Sequence, residues 1–145
     1  RGFYNFCPSL RSIDTTIHVQ EYSGRHYCPS MAAMNKPCYA AIKEHAPEKP
    51  VIISVDSRRQ NRLMAFDLIS YAAHDKDEQT FLKTSTEYIK GVAETLSDEA
   101  LRHTISFGIG LNHAGLSSHD RATMKKKTDA TRKLQCHDIV WLKSL

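Results

Sequence analysis

The sequence lacks several features that would place it in a familiar class. No run approaches the roughly eighteen consecutive apolar residues of a membrane-spanning helix, which excludes a membrane span. Its four cysteines are irregularly spaced and form no CxxC pair, so we expect reduced thiols and no metal site. No glycine-flanked serine or cysteine elbow is present. The sequence therefore predicts no catalytic residues.

The machinery for binding a nucleotide is also missing. There is no GxxxxGK[ST] loop to cradle phosphates, and no Asp-Glu pair follows a strand to hold magnesium. We therefore expect no cofactor on this chain. Its 145 residues, 41% hydrophobic and 25% charged, suit one globular domain. A net charge of +4 is compatible with a nucleic-acid partner but does not require one.

The strongest positive signal is residues 51–69, which read VIISVDSRRQNRLMAFDLI. The β-branched start predicts a strand buried on both faces of a parallel sheet. Ser57 then caps a helix whose positive N-terminal end carries Arg58 and Arg59. This arrangement favours an anion, and a phosphate of a nucleic-acid backbone is the natural candidate. The alternative is a solvated basic turn.

A second segment, residues 107–121, reads FGIGLNHAGLSSHDR. Ile109 and Leu111 suggest a short strand, and a turn of small residues follows it. Ser117 and Asp120 form a capping pair for another helix. Small residues in such a turn let the backbone approach a ligand closely.

Together, the SRRQ phrase and the later NHAGL…DR phrase resemble the second RecA-like domain of superfamily 2 helicases of the Ski-like group. The phrases RGFYNFCPSLR, HYCPSMAAMNKP and KPVIISVDSRRQ are most similar to the C-terminal cassette of the large two-cassette helicases. These include the spliceosomal unwinding helicase and the helicase subunit of the activating signal cointegrator complex. The resemblance implies an α/β fold, a partial RecA-like domain whose parallel sheet is flanked by helices.

The resemblance also implies a binding surface. It assigns the Ser-Arg-Arg element to helicase motif IV and the His-Ala-Gly-Leu element to the neighbouring motif, both on the nucleic-acid-facing side. Asp56 departs from the family pattern, and its carboxylate is expected to weaken a phosphate contact of the adjacent arginines. Asn112 departs as well, where relatives commonly have histidine. The implied nucleic-acid-binding residues are Ser57, Arg58, Arg59, His113, Ala114, Gly115, Leu116 and Arg121.

The resemblance further implies partners and a cellular setting. The partners are single-stranded RNA or DNA, the missing first RecA-like domain and the remainder of the helicase cassette. ATP and magnesium would belong to the parent helicase, so this chain alone is expected to be inactive. The implied setting is intracellular, nuclear or cytoplasmic.

The expected organisation has three parts. Residues 1–30 form an extended linker arriving from a preceding RecA-like domain, and the chain looks like a piece excised from a longer protein. Residues 31–121 form the N-terminal part of the second RecA-like domain. Residues 122–145 form a divergent tail, at which the resemblance ends.

Three accounts of the tail remain open: a truncated or spliced product, a shifted reading frame, or divergence with retained topology. The phrase HDIVWL, residues 137–142, either supplies a replacement strand or belongs to a disordered end. If the strand forms, Trp141 is expected to be buried.

Periodicity predicts four helices. The first runs over about 34–45, with Pro37 near its start. A third begins at a capping box of Thr84 and Glu87, and a shorter one follows Ser97. The second, after the Ser-Arg-Arg turn, has an apolar stripe expected to cover the sheet. That stripe is Leu63, Phe66, Ile69 and Ala73.

The function predicted from the sequence is that of a helicase fragment contributing backbone contacts to single-stranded RNA or DNA. Arg58, Arg59 and His113 are the residues expected to make them. One alternative is a non-enzymatic interaction module or decoy derived from a helicase. Another is an inert fragment without a stable fold.

Overall fold

Within the residues that it describes, the computed structural model has four helices and three strands with assigned bounds. They are α1 Tyr27–His45, β1 Val51–Val55, α2 Arg58–His74, α3 Thr86–Glu94, α4 Glu99–Ile105, β2 Ile109–Asn112 and β3 Val140–Ser144. A further helical segment covers 118–125. For residues 27, 28 and 140–144 only the backbone is described. The structure describes residues 7, 10, 12–13, 15–22, 26–47, 49–76, 80–82, 85–125 and 140–144.

The three strands form one parallel sheet with the order β1-β3-β2. Val140 is in register with Val51 on one side and with Ile109 on the other. The tail thus contributes the central strand. Its position, Val140–Ser144, begins within the HDIVWL phrase and continues past it, so the strand alternative holds for these residues. The side chain of Trp141, expected to be buried, lies outside the described features.

Burial alternates along β1, in contrast to the predicted burial on both faces. Val55 is buried, whereas Ile52 is 61% exposed. Successive side chains of a strand point to opposite faces, and α2 packs against all three strands. The prediction of two-sided burial was therefore wrong for the face that carries Ile52.

Helix α2 begins as predicted but buries a different stripe. The Ser57 hydroxyl accepts a hydrogen bond from the Gln60 backbone N–H at 3.1 Å, which caps the helix. Leu63 and Phe66, expected to cover the sheet, are 46% and 40% exposed. Two sets of apolar residues with helical spacing run along α2. The set that packs in the core contains Ala65 and Ala72, and the set with Leu63 and Phe66 faces outward. The buried residues of α2 are Gln60, Asn61, Met64, Ala65, Leu68 and Ala72.

Helix α1 is longer than predicted, since it starts at Tyr27 and encloses Pro37 well inside its length. Proline removes one helical N–H donor, and the helix continues through that position. Helix α1 packs against α2. Near its end, the Tyr39 hydroxyl donates to Asp75 Oδ2 at 2.9 Å and Lys43 Nζ donates to the same oxygen at 2.6 Å. These bonds join the C-terminal ends of the two helices.

The two short helices start close to the predicted positions. Ser85 caps α3 by accepting a hydrogen bond from the Tyr88 N–H, one residue after the expected cap. Asp98 caps α4 by accepting from the Leu101 N–H. Among the described helices, none combines the length and apolar character needed to cross a membrane.

Candidate functional site

The turns that follow β1 and β2 lie at the same edge of the parallel sheet, where α/β proteins bind ligands. The first turn opens α2, and the second leads into the helical segment 118–125. A surface cavity of about 480 Å³ lies between them, and we call it the arginine cavity. It is lined by Arg58, Arg59, Arg62, Leu63, Phe66, His113 and Gly115.

Four of the eight site residues expected from the sequence therefore line one cavity: Arg58, Arg59, His113 and Gly115. Gly115 is where the two turns meet. A Cβ atom at this position would stand 3.1 Å from Arg58 Nη1 and 3.3 Å from His113 Nδ1. Only glycine leaves the guanidinium this close to the turn backbone without displacing it.

The four arginines near the cavity differ in their partners. Arg62 donates to Asp98 Oδ2 at 2.9 Å, and Arg121 donates to the Ala114 carbonyl at 3.0 Å. Arg58 and Arg59 are exposed, and their guanidinium groups make no hydrogen bond or ion pair within the described part of the chain. These two cations at the N-terminus of α2 are available to an anion.

The other four expected residues have supporting contacts. The Arg121 guanidinium also donates to the Leu116 carbonyl at 3.2 Å, so it holds the turn together. Leu116 is 5% exposed and belongs to the hydrophobic core. Ser57 caps α2, and the Ala114 carbonyl accepts from Arg121. None of these four lines the cavity.

His113 is 3% exposed and is held as a neutral ring. Its Nδ1 accepts a hydrogen bond from the Gly115 N–H at 3.2 Å, which places the ring proton on Nε2. Among the described residues Nε2 has no hydrogen-bond partner. Burial lowers the pKa of His113, and the positive charges of Arg62 and Arg58 lower it further.

Asp120 connects the helical segment 118–125 to the residues that precede α4. Its buried carboxylate accepts hydrogen bonds from the Ser97 N–H at 3.0 Å, the Ser97 hydroxyl at 2.7 Å and the Asp98 N–H at 3.2 Å. Burial by itself would raise the pKa of Asp120, but the hydrogen bonds from Ser97, Ser117 and Asp98 outweigh it and lower the pKa. The ionised carboxylate thus joins the helical segment 118–125 to residues 97 and 98 at the start of α4.

Asp56 does not line the arginine cavity, and its expected weakening of a phosphate contact stays a prediction. It lines a second cavity, of about 460 Å³, between α1, β1 and residues 18–22. It is absent from the lining of the arginine cavity. The adjacent position in sequence does not bring its carboxylate into that cavity, because the chain turns between β1 and α2.

Three lining residues were not predicted as site residues: Arg62, Leu63 and Phe66. Arg58, Arg62 and Phe66 recur at intervals of four, which places them along one face of a helix. That spacing was visible in the sequence. The expectation that Leu63 and Phe66 cover the sheet assigns both residues to the core instead.

Comparison with known proteins finds relatives whose alignments to this chain have nearly the same length. No family model matches the chain. It is 51% identical over 125 residues to the DExH-box ATP-dependent RNA helicase DExH14 of Arabidopsis thaliana. It is 44% identical over 125 residues to activating signal cointegrator 1 complex subunit 3 of Homo sapiens, and 46% over 124 residues to that subunit of Dictyostelium discoideum.

Each of these alignments covers 86% of this chain but only 6% of the relative. The chain thus spans a small part of the length of the proteins it matches. The Ser-Arg-Arg and His-Ala-Gly-Leu phrases indicate the same group. The chain is therefore homologous to one short segment of the Ski-like helicases.

Proposed function

We propose that the arginine cavity binds the phosphate backbone of single-stranded RNA or DNA. The observation that carries this proposal is the pair of exposed guanidinium groups, on Arg58 and Arg59, at the N-terminus of α2. The helix dipole and both cations favour an anion at the same place. Contacts of this kind position a strand without reading its sequence, so binding is expected to be independent of base order.

Within a parent protein, this chain would serve as the N-terminal part of the second RecA-like domain of an ATP-dependent helicase. A parallel sheet with two turns at the carboxyl ends of its strands supports this reading. The relative in Arabidopsis thaliana carries the name of an ATP-dependent RNA helicase. ATP and magnesium would be held by the first RecA-like domain and the remainder of the cassette, since this sequence lacks the phosphate loop.

The test is a fluorescence titration of a labelled single-stranded oligonucleotide at several salt concentrations. Affinity should fall steeply as salt rises, because phosphate contacts release counterions. Changing Arg58 and Arg59 together to Ala should make the slope of log affinity against log salt shallower by about 1.4, since each contact to a single strand contributes roughly 0.7.

The matched control is the double variant Lys36→Ala with Lys90→Ala. Both lysines are exposed and neither lines the arginine cavity. The control loses the same charge from elsewhere on the surface. If the two double variants gave equal slopes, binding would be a property of net charge and the proposal would be wrong.

A further inference from the structure

We infer that Phe66 is a stacking platform for one unpaired base of the strand whose phosphates Arg58 and Arg59 hold. This inference rests on the proposed function. It adds a reason for the site to prefer single strands, because a base in a duplex is already stacked and paired.

The arginine cavity has a cationic end and an apolar end. Arg58 and Arg59 lie in the first turn of α2. Leu63 and Phe66, farther along the same helix, are 46% and 40% exposed and line the same cavity. Between the two ends, the charge of Arg62 is paired with Asp98 at 2.9 Å. The free positive charge is thus concentrated at one end.

This polarity matches a nucleotide better than a simple anion. A nucleotide joins an anionic phosphate to a flat base with a π-face, and base–aromatic stacking tolerates any base. Phe66 follows Arg58 by eight residues, about 12 Å along a helix axis. A short run of nucleotides spans that separation, with phosphates at the arginines and a base at the ring.

The Phe66 ring is braced by its neighbours. Its centroid lies 5.8 Å from that of His103 on α4, with the ring planes 33° apart. His103 in turn contacts Phe107 at 5.3 Å between ring centroids. A braced aromatic ring with exposed surface loses little conformational freedom when it stacks on a ligand.

The test compares two competitors for the full chain: a thymidylate oligomer and an abasic oligomer of equal length. Both carry the same backbone charge, but only the first has bases. Wild type should bind the thymidylate oligomer at least about fivefold more tightly, the lower end expected for one stacked base.

Phe66→Leu should remove most of that preference, because leucine keeps an apolar side chain but has no aromatic face. Phe66→Trp should retain it. Tyr88→Leu is the matched control, since Tyr88 is 50% exposed on α3 and does not line the cavity. It should keep the wild-type preference. Circular dichroism of each variant verifies that the chain is folded.

The outcomes separate this inference from the proposed function. Equal, salt-dependent binding of both oligomers by wild type would overturn the stacking role and leave the phosphate role intact. Failure to bind either oligomer at low salt would overturn both. If an oligoglutamate peptide of equal charge competed as well as the thymidylate oligomer, the cavity would be reading acidic charge, and the inference would be wrong.

Discussion

Gly115 is the residue at which the two turns of the arginine cavity touch. Its backbone N–H is bonded to the His113 ring, and the Arg58 side chain packs over the position where a side chain would start. The space beside this glycine therefore sets how closely a guanidinium approaches the turn.

We expect Gly115→Ala to weaken oligonucleotide binding about twofold to fivefold, the size of an exposed ion pair, because Arg58 must shift to admit the Cβ atom. The free energy of unfolding should change by less than about 0.5 kcal/mol, since the end of an arginine side chain moves easily.

Gly91→Ala is the control for that change. A Cβ atom at Gly91, inside α3, would meet nothing within 4 Å. It should raise the free energy of unfolding by roughly 0.5–1 kcal/mol through helix propensity and leave binding unchanged. Equal affinities of the two alanine variants in the same titration would show that Gly115 has no part in binding.

His113 should make stability depend on pH. Its pKa is lowered in the folded chain, whereas the unfolded chain titrates near the ordinary value of 6.5. Below that value the unfolded state binds more protons than the folded state. The free energy of unfolding should therefore fall as pH drops from about 7 through 6.5 toward the folded pKa, by at most about 1.4 kcal/mol per pH unit.

Urea unfolding between about pH 7.5 and pH 5.5 measures this dependence. His113→Gln cannot titrate and should flatten it, while His74→Gln, a change of an exposed histidine at the end of α2, should not. Unchanged slopes in both variants would assign the dependence to other groups.

At the scale of elements, β3 holds the sheet together. It lies between β1 and β2 and pairs with both, so neither outer strand contacts the other through a ladder. The strand comes from the tail, which had no counterpart in the family pattern. The sheet edge that carries the two turns of the arginine cavity is thus positioned by a segment distant in sequence from both arginines.

Leu142→Pro should lower the free energy of unfolding by about 2 kcal/mol or more. Leu142 is in register with Ile53 and with Leu111, and proline in a central strand removes a ladder donor and leaves a carbonyl without its partner. Urea unfolding followed by far-ultraviolet circular dichroism measures the loss.

The control is Ile17→Pro, in an exposed stretch outside any helix or strand, where the same substitution should have little effect. A Leu142→Pro variant as stable as this control would mean that β3 does not pair in solution.

At the scale of the whole molecule, the chain combines two exposed arginines at a sheet edge with a sequence that lacks the known motifs for nucleotide hydrolysis. Its sequence has no phosphate loop and no acidic pair for magnesium.

We therefore expect no measurable ATP hydrolysis, with or without RNA, in an assay of steady-state phosphate release. A parallel preparation of the Arg58→Ala, Arg59→Ala double variant controls for contaminating enzymes. RNA-stimulated hydrolysis by wild type that the variant lacks would contradict the expectation.

The sequence alone determined the features that depend on neighbouring residues. Ser57 caps α2 as expected, because its side chain reaches the N–H group three residues ahead. The shorter helix α4 forms one residue later than expected, with Asp98 as its cap and not in its first turn. The residue pattern also predicts β1, β2 and the two turns that follow them. The resemblance to the helicase family indicates Arg58, Arg59 and His113 as site residues. These are local hydrogen bonds and local patterns, which the order of residues specifies.

Only the tertiary structure decided which apolar stripe of α2 was buried and which arginines were already paired. Phe66 and Met64 both lie on helical stripes, but only Met64 packs in the core. Arg62 pairs with the N-cap residue of α4 and Arg121 with the 113–116 turn, whereas Arg58 and Arg59 have no such partner within the described residues. Burial and ion pairing depend on neighbours that are distant in sequence. Local spacing alone therefore does not distinguish the buried stripe from the exposed one, or a paired arginine from an unpaired one.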